Sequence, residues 1–337
     1  MVQRKHGGHW INWAIRATAG VLVLSLIALA YVMISTALQD RAATPAARAI
    51  ANLERIVREN PENVNARLRL ADAFMASGRF RDAAGQYQEV LSAEEENPHA
   101  LSGMATIAME QGEWRTAEGY WRKVIEVLTD GRFDVVDQRL EKAYRHLGAT
   151  LMEVREYEEA ISYLREALRI RRDVADTYFL LGIAYRETDS LVKYRENIEY
   201  ALRFDPMRPD ANYEYGKILL EQGDEAGAAE RFRVAVENAP PERTEPAEAL
   251  AQFGSAEERL ERSSALASTD ASAALVEARI AAAVDPESVD AARAVASLYE
   301  TAGDKPAALA AWQRVLDLAP RDTDAAAAVE RLGAPAP

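Results

Sequence analysis

The 337-residue sequence contains no cysteine, and aromatic residues make up only 7% of it. Without cysteine there can be no disulfide, no thiol nucleophile and no thiolate metal ligand. The sequence also lacks a glycine-rich phosphate loop, a dinucleotide fingerprint and a G-x-S-x-G nucleophile elbow. Its four histidines do not share metal-ligand spacing on any predicted helix of the body. We therefore predict a non-enzymatic protein with no catalytic residue, no metal site and no cofactor.

Basic residues are outnumbered, with 40 Lys and Arg against 54 Asp and Glu, which gives a net charge of −14. The first 38 residues contain Arg4, Lys5 and Arg16 and no acid, so they carry +3 and the rest of the chain carries −17. An acidic body offers no basic patch for a phosphate backbone, so we expect no nucleic-acid partner. The charge either keeps the body soluble through self-repulsion or attracts a basic protein partner.

A single long apolar run lies near the start of the sequence. Residues 17–38, ATAGVLVLSLIALAYVMISTAL, contain no charged side chain, and a spanning helix needs about 20 apolar residues. The basic tail that precedes the run includes Trp10 and Trp13, as interfacial anchors do. The alternative is a signal peptide cleaved after residues 28–30, Ala-Leu-Ala, although the apolar run continues beyond that site. We predict a retained transmembrane helix and a single-pass protein of the cell (inner) membrane.

The basic tail also predicts the orientation of the chain. Positive residues favour the cytoplasmic side of a membrane, so we expect a cytoplasmic N-terminus and an extracytoplasmic body. The alternative is a body that faces the cytoplasm.

The body repeats one helical hairpin, which is clearest in residues 209–242. Gly216 and Leu219 lie on one face of a predicted first helix, Gly223 marks a turn, and Ala228 and Phe232 lie on one face of a second helix. The same glycine recurs at one constant spacing, at Gly148, Gly182 and Gly216. A single hairpin buries too little apolar surface to be stable, so the copies are expected to stack.

This pattern of Leu-Gly, then Ala, an aromatic residue and a final Pro resembles the tetratricopeptide-repeat family, whose repeat is about 34 residues of helix–turn–helix. The resemblance covers most of residues 45–330. It implies an all-α fold, a right-handed α-solenoid of helix–turn–helix repeats, preceded here by one transmembrane helix. It does not select a function, because this fold serves many unrelated ones.

The repeat register predicts the organisation of the chain. The predicted segments are a basic N-terminal tail at 1–16, the transmembrane helix at 17–38, a half repeat at 39–63, five repeats at 64–242 with an insert at 129–140, a linker at 243–254, one degraded and one regular repeat at 255–322, and a capping helix with a tail at 323–337.

Three places depart from the family pattern or follow it incompletely. Tyr194 replaces a small alanine, so we predict that its two helices are pushed apart. Glu261 and Arg262 replace Leu-Gly in the degraded repeat, which leaves the packing of its first helix in doubt. The half repeat has only a second helix, in which Ala49 takes the position of the packing alanine.

The resemblance also implies a binding surface, because the first helices of this family line a concave groove where partner segments dock. Two neighbouring positions of these helices read mostly Met or Leu and mostly Glu. Together with apolar and aromatic residues on the same side, they predict a partner-binding groove of Met75, Met109, Glu110, Met152, Glu153, Phe179, Ile183, Glu187, Tyr213, Leu220 and Glu221. Adaptable methionines beside carboxylates would suit an amphipathic or basic segment. The alternative is that the methionines pack between repeats and the glutamates are ordinary surface charges.

A clamp for a C-terminal carboxylate is disfavoured, because only Arg145 and nearby Lys142 are basic in the relevant column. We interpret the chain as a bacterial, membrane-anchored protein–protein interaction scaffold, assembly factor or accessory subunit of a membrane complex. The rival hypotheses are a cytoplasm-facing adaptor that recruits soluble proteins to the membrane, a scaffold that binds through its convex face, and an enzyme or cofactor carrier.

Overall fold

A computed structural model describes Ser25, Leu29, residues 44–130 and residues 138–333. Helices and turns account for these residues, and no strand occurs among them. None of the described helices is both long and apolar enough to cross a membrane. The predicted basic tail, the predicted transmembrane helix apart from Ser25 and Leu29, residues 131–137 of the predicted insert and the tail at 334–337 lie outside the described residues.

The chain divides into two compact units at Val127. The first unit is formed by α1 (Pro45–Glu59), α2 (Val64–Ala76), α3 (Phe80–Ala93), α4 (Pro98–Glu110) and α5 (Trp114–Thr129), the last of which ends two residues beyond the division. The helices of the second unit are α6 (Gln138–Glu153), α7 (Tyr157–Ile170), α8 (Ala175–Glu187), α9 (Leu191–Phe204), α10 (Pro209–Glu221), α11 (Glu225–Asn238), α12 (Glu245–Ala251), α13 (Ala256–Leu266), α14 (Ala271–Val284), α15 (Val289–Thr301), α16 (Lys305–Leu318) and α17 (Thr323–Gly333). The predicted all-α arrangement of helix–turn–helix pairs is therefore confirmed for the described residues.

Local sequence explains where many of these helices begin. The side chain of Asn63 accepts a hydrogen bond from the backbone N–H of Ala66 at 2.9 Å, and Asn97 caps α4 in the same way. Such caps satisfy N–H groups that have no partner inside the helix. Pro98 and Pro209 occupy the first turn, where a missing N–H costs nothing.

The turns inside the hairpins share one backbone conformation. Gly78, Gly112, Gly223 and Gly303 have φ between 71° and 81° at equivalent positions. Glycine is favoured there because it adopts the left-handed region without steric cost. Arg155 and Asp189 occupy the same position in the α6–α7 and α8–α9 turns with φ of 62° and 56°, and this conformation costs a side-chain-bearing residue roughly 1–2 kcal/mol.

The first unit has its core between α1, α2, α3 and α4, where Phe74, Tyr87 and Val90 are buried. The Tyr87 hydroxyl donates to the Asp72 carboxylate at 2.7 Å, and His99 Nε2 lies 2.9 Å from the same oxygen. Burial by itself would raise the pKa of Asp72, but the hydrogen bonds from His99 and Tyr87 outweigh it and lower that pKa. One carboxylate thus joins α2, α3 and α4.

Helix α1 packs through part of the face that the repeat pattern predicts, since Leu53 and Ile56 are half-buried against the core. Ile50 and Val57 are buried against α2, whereas Ala49 is exposed. The alanine of a regular repeat faces the first helix of its own hairpin. Among the described helices, α1 contacts the first helix of the next hairpin, α2.

The regular hairpins of the second unit depend on close approach at the recurring glycine. A Cβ atom on Gly148 would lie 2.6 Å from the side chain of Leu164, and one on Gly216 would lie 2.5 Å from the ring of Phe232. Both distances are shorter than those that Cβ atoms show, so any other residue would force Leu164 or Phe232 to move. The resemblance predicted these small residues, and the structure shows what each accommodates.

The prediction that Tyr194 pushes its helices apart is wrong. A Cβ atom on Gly182 would lie 3.4 Å from the backbone carbonyl oxygen of Tyr194. In the preceding hairpin, a Cβ atom on Gly148 would lie 3.5 Å from the carbonyl oxygen of Ala160, so the two helix separations are nearly the same. The ring of Tyr194 does not separate α8 from α9, because it extends to α10, where its hydroxyl donates to Glu214 at 2.7 Å.

The degraded repeat packs through a serine one position beyond the predicted pair. Glu261 and Arg262 are exposed, and Ser263 is 2% exposed. Its hydroxyl donates to the backbone carbonyl of Ala274 at 2.8 Å. The small side chain therefore takes the part of the missing glycine, and its hydroxyl is satisfied by α14.

The stacking order changes after α11. In the preceding repeats the second helix packs on the next first helix, as α7 does on α8 and α9 on α10. Helix α11 packs instead on the short α12 and on α14, which is itself a second helix. Phe232 contacts Phe253 with ring centroids 6.3 Å apart, and Ile280 and Ala283 of α14 belong to the same buried cluster. Residues 243–254 therefore do more than link two repeats, because α12 covers part of α11 itself.

Helix α17 lies at the end of the second unit against α16. Ala325 and Ala328 are its buried residues. Asp322 caps the helix at the N–H groups of Asp324 and Ala325, and Arg293 donates to the same side chain at 2.6 Å. Arg331 pairs with Glu300 of α15.

Candidate partner-binding surface

The predicted groove residues of the first unit divide between core and surface. Met75 is half-buried and packs against the core. Met109 accepts a hydrogen bond from the indole of Trp121 at 3.2 Å, so it packs inside its own hairpin. Glu110 is exposed. Both methionines therefore take part in internal packing, although the packing of Met109 lies within one hairpin and not between repeats, as the alternative had it.

The second unit presents the remaining predicted residues on α6, α8 and α10, which we call the first-helix face. Leu220 is 39% exposed. Met152 is half-buried, and Phe179 and Ile183 are half-buried with one side against the core. Tyr213 is also half-buried and packs on Phe232 with ring centroids 5.7 Å apart. Leu220 is therefore the most exposed of the predicted apolar residues on this face.

Two arginines on this face were missed from the sequence. Arg208 pairs with Asp176 and holds its guanidinium 4.8 Å from the ring centre of Phe179. Arg243 pairs with Asp210 and lies 5.7 Å from the ring centre of Tyr213. In each case an arginine just before or after a hairpin lies over an aromatic ring of a first helix and is fixed by an aspartate. Cation–π contacts of this kind are worth about 0.5–1 kcal/mol when exposed.

A buried carboxylate joins α8, α9 and α10 beneath the first-helix face. Glu214 is 9% exposed and accepts from Tyr194 at 2.7 Å, Arg186 at 2.8 Å and Lys217 at 3.1 Å. Burial would raise the pKa of Glu214, but the hydrogen bond from Tyr194 and the charges of Lys217 and Arg186 outweigh it and lower that pKa. The cluster is a fully paired charge network that fixes Arg186 and Lys217 on the face.

The exposed glutamates of the face differ in how they are paired. Glu187 accepts from Arg186 at 2.9 Å. Glu153 and Glu221 are exposed, and no described residue forms an ion pair or hydrogen bond with either side chain. These two carboxylates remain available to a basic side chain from outside.

The histidine and acidic side chains of the described residues are not clustered as metal ligands would be. Among the residues that the structure covers, no group of three or more His, Asp or Glu side chains is placed to hold a metal ion. Burial, together with the nearby positive charges of Arg145 and Lys142, lowers the pKa of His146 to about 4. His146 is therefore neutral at pH 7.

The sequence contains a pattern that points to Arg208 and Arg243. An alignment of the first helices alone does not show it, because both arginines lie outside those helices. Asp176 and Asp210 lie one repeat apart, and Arg208 and Arg243 each follow their aspartate by almost one further repeat. A repeat-wise alignment of Asp and Arg would have linked each arginine to the hairpin whose aromatic residue it covers.

Tetratricopeptide-repeat family models match residues 42–87, residues 68–126 with 195–243, and residues 142–177. No curated protein matches the chain.

Several solved structures resemble the chain. MamA residues 41 to the end from Desulfovibrio magneticus RS-1 is 22% identical, with a TM-score of 0.45, and the match covers 52% of this chain and 94% of that one. YrrB, described as a TPR protein with an unusual peptide-binding site, is 17% identical with a TM-score of 0.45 and coverage of 56% and 93%. PilF of Pseudomonas aeruginosa is 14% identical with a TM-score of 0.46 and coverage of 81% and 97%. These values carry no argument about function.

Proposed function

The chain is a tetratricopeptide-repeat protein, and we propose that it is a protein-binding scaffold held at a membrane by residues 17–38. The proposal depends on the first-helix face of the second unit, which carries exposed Leu220, half-buried apolar residues and the unpaired carboxylates of Glu153 and Glu221. The apolar part supports a hydrophobic anchor, and Glu153 and Glu221 support a basic one. The partner is an amphipathic segment that carries Lys or Arg.

The structure also gives this face rigid edges. Arg208 and Arg243 are each held by an aspartate and an aromatic ring, and the Glu214 network joins three helices below. A preorganised face loses less conformational entropy when a partner binds. These features support a docking surface for a protein segment, with no reaction assigned to it.

The membrane part of the proposal depends on sequence alone. The uncharged run at 17–38 is long enough to span a bilayer, and the basic residues before it favour a cytoplasmic N-terminus. We propose an extracytoplasmic body that acts as an assembly factor or accessory subunit of a complex in the inner membrane. The alternative is an adaptor that faces the cytoplasm and recruits soluble proteins.

Replacing Leu220 with serine is expected to weaken binding of an amphipathic leucine–lysine peptide about tenfold or more. Burying a leucine side chain is worth about 1.5–3 kcal/mol, and about 1.4 kcal/mol is a tenfold change in Kd. The measurement is fluorescence anisotropy of the labelled peptide with the full-length protein in detergent. Val236→Ser is the matched control, because Val236 is 36% exposed on α11, away from the face. Equal losses for both variants would refute the site.

The orientation is tested by protease digestion of cells whose outer barrier is permeabilised and whose inner membrane is sealed. An extracytoplasmic body is digested, while a cytoplasmic body is protected until the inner membrane is lysed. Protection would reverse the orientation and favour the recruiting adaptor. A protein released into the soluble fraction at a size lacking residues 1–30 would instead support signal-peptide cleavage.

A further inference from the structure

Exposed apolar side chains are concentrated on helix α9 and the loop that follows it. More than half of the exposed large hydrophobic side chains among the described residues lie between Leu191 and Met207. Val192 is 66% exposed and Met207 is 61% exposed. Single exposed apolar residues are normal on a protein surface, whereas a contiguous group of them marks an interaction site. This group lies apart from the first-helix face, which α6, α8 and α10 form.

The apolar residues of α9 share one side of the helix with two charged residues. Tyr194, Ile198 and Ala201 turn the opposite side towards the core. The outward residues follow one another at intervals of three or four, which places them along one stripe of a helix. We call this stripe the α9 face, and its members are Val192, Glu196, Tyr200, Arg203 and Phe204, with Met207 just beyond the helix.

The aromatic rings of the α9 face are held in place by their neighbours. The ring centroid of Tyr178, on α8, lies 5.1 Å from that of Tyr200 and 5.5 Å from that of Phe204. The guanidinium of Arg203 lies 5.3 Å from the ring centre of Tyr200. Side chains that are already ordered lose less conformational entropy when a partner covers them.

Packing of the hairpin does not require apolar residues on this stripe. Helix α7 is the second helix of the preceding hairpin, and one repeat earlier Glu158 and Glu166 take the positions of Val192 and Tyr200. The α6–α7 hairpin therefore packs with charged residues at both positions. The apolar side chains of α9 are best explained by a contact outside the hairpin.

Two charged residues of the α9 face have no counter-charge within the described chain. Glu196 and Arg203 are both exposed, and no described residue forms an ion pair or hydrogen bond with either side chain. They lie two helical turns apart, about 10 Å along the axis, so they do not pair with each other. A complementary surface must offer a positive and a negative charge at this spacing and in the reverse order. The α9 face of a second copy offers that pattern when it lies antiparallel.

We propose that the α9 face binds the α9 face of a second copy of this chain, in an antiparallel dimer with two-fold symmetry. With the symmetry axis beside Tyr200, Glu196 of each copy lies opposite Arg203 of the other, and Val192 lies opposite Met207. Each contact occurs twice, as symmetry of this kind requires. One helix from each copy buries little area, so the dimer is weak and dissociates on dilution.

The other charges of α9 do not oppose this arrangement. Arg195 pairs with Glu199 of its own helix at 3.7 Å. The ammonium group of Lys193 lies 5.0 Å from the ring centre of Tyr185. In the antiparallel dimer Lys193 would lie opposite residues 206–207 of the other copy, which carry no charge.

Charge reversal tests the pairing across the dimer. Sedimentation equilibrium of the full-length protein in density-matched detergent measures self-association over a series of concentrations. Glu196→Arg alone, or Arg203→Glu alone, should weaken it about tenfold or more, because each creates two contacts between like charges. The double variant, with both charges reversed, should recover most of the wild-type affinity. Arg165→Glu is the matched control on the exposed surface of α7 and should change the affinity less than about twofold.

Cysteine cross-linking tests the antiparallel orientation, since the natural chain contains no cysteine. Two differently tagged copies, one with Val192→Cys and one with Met207→Cys, should be joined to each other by a short bismaleimide. Neither variant should cross-link to itself. Val236→Cys, on the exposed surface of α11, is the control and should give no dimer. Cross-linking of Val192→Cys to itself would indicate parallel helices and overturn the proposal.

Two further outcomes would refute the dimer. If the α9 face covers a lipid surface or another protein instead, the wild type stays monomeric at every concentration. If the double charge variant is folded, as circular dichroism and thermal unfolding check, but associates no better than the single variants, the pairing is wrong. Leu220→Ser should leave self-association unchanged, so the α9 face and the first-helix face are tested separately.

Discussion

Replacing Phe232 with alanine should lower the free energy of unfolding of the second unit by about 3–5 kcal/mol, the usual loss for a buried phenylalanine. Phe232 is 1% exposed. Its ring lies against Gly216 of α10, Tyr213 of the same helix and Phe253 next to α12. Alanine would therefore leave a cavity where the regular hairpin meets the changed stacking.

Urea unfolding followed by circular dichroism measures the loss, and hydrogen exchange by mass spectrometry shows which helices lose protection. Phe204→Ala is the matched control, because Phe204 belongs to α9 of the preceding hairpin and is 42% exposed. We expect it to cost less than about 1 kcal/mol. A loss for Phe232→Ala no larger than that of the control would mean that the cluster around Phe232 is not a centre of stability.

The second large effect is expected at Glu214. Glu214→Gln removes the charge that Arg186 and Lys217 share and should cost about 3 kcal/mol at pH 7, because breaking a buried pair usually costs about 3–5 kcal/mol. We expect the lower end, because the side chains of Arg186 and Lys217 are 33% and 40% exposed, so water compensates part of the loss.

The cost of Glu214→Gln should depend on pH in a definite direction. The folded-state pKa of Glu214 is lowered, so its carboxylate stabilises the fold fully above its unfolded pKa of about 4.3. This stabilisation fades as the pH falls through the folded-state pKa. The difference in unfolding free energy between wild type and variant should therefore be large at pH 7 and should shrink as the pH falls below about 4.3 and through the lowered folded-state pKa.

Urea unfolding at a series of pH values measures this difference. Glu221→Gln serves as the control, since Glu221 is exposed and unpaired in the described structure, and should change stability by less than about 0.5 kcal/mol at every pH. A Glu214→Gln cost that stays constant from pH 7 to pH 3 would contradict the proposed role of the charge.

The repeat fold could be predicted because a few residue types are required wherever two helices approach closely. Gly148 and Gly216 recur at the repeat interval since any side chain there would meet Leu164 or Phe232. The direction in which a large side chain leaves a helix is not encoded in that spacing. Tyr194 shows this, because its ring extends to Glu214 of another hairpin instead of separating its own.

The binding surface was harder to predict, since it depends on contacts between residues of different hairpins. The two neighbouring repeat positions that contain Leu220 and Glu221 could be identified from the sequence, but the position of Arg208 over Phe179 could not. The packing of α14 on α11 was missed for a similar reason. The sequence of residues 243–254 does not predict that α14 packs on α11, because that contact depends on how α12 fills the space beside Phe232.

The contact between α11 and α14 has a consequence for the folding kinetics of the second unit. Arg279 and Glu230 are 49 residues apart in sequence, whereas Arg186 and Glu214, which join two successive regular hairpins, are 28 apart. Contacts between more distant residues require more chain entropy to be lost before they form, which slows folding. We expect the hairpin of α13 and α14 to form early and to dock on α11 late, so the α11–α14 contact would be among the last parts of the unit to be completed as the chain folds.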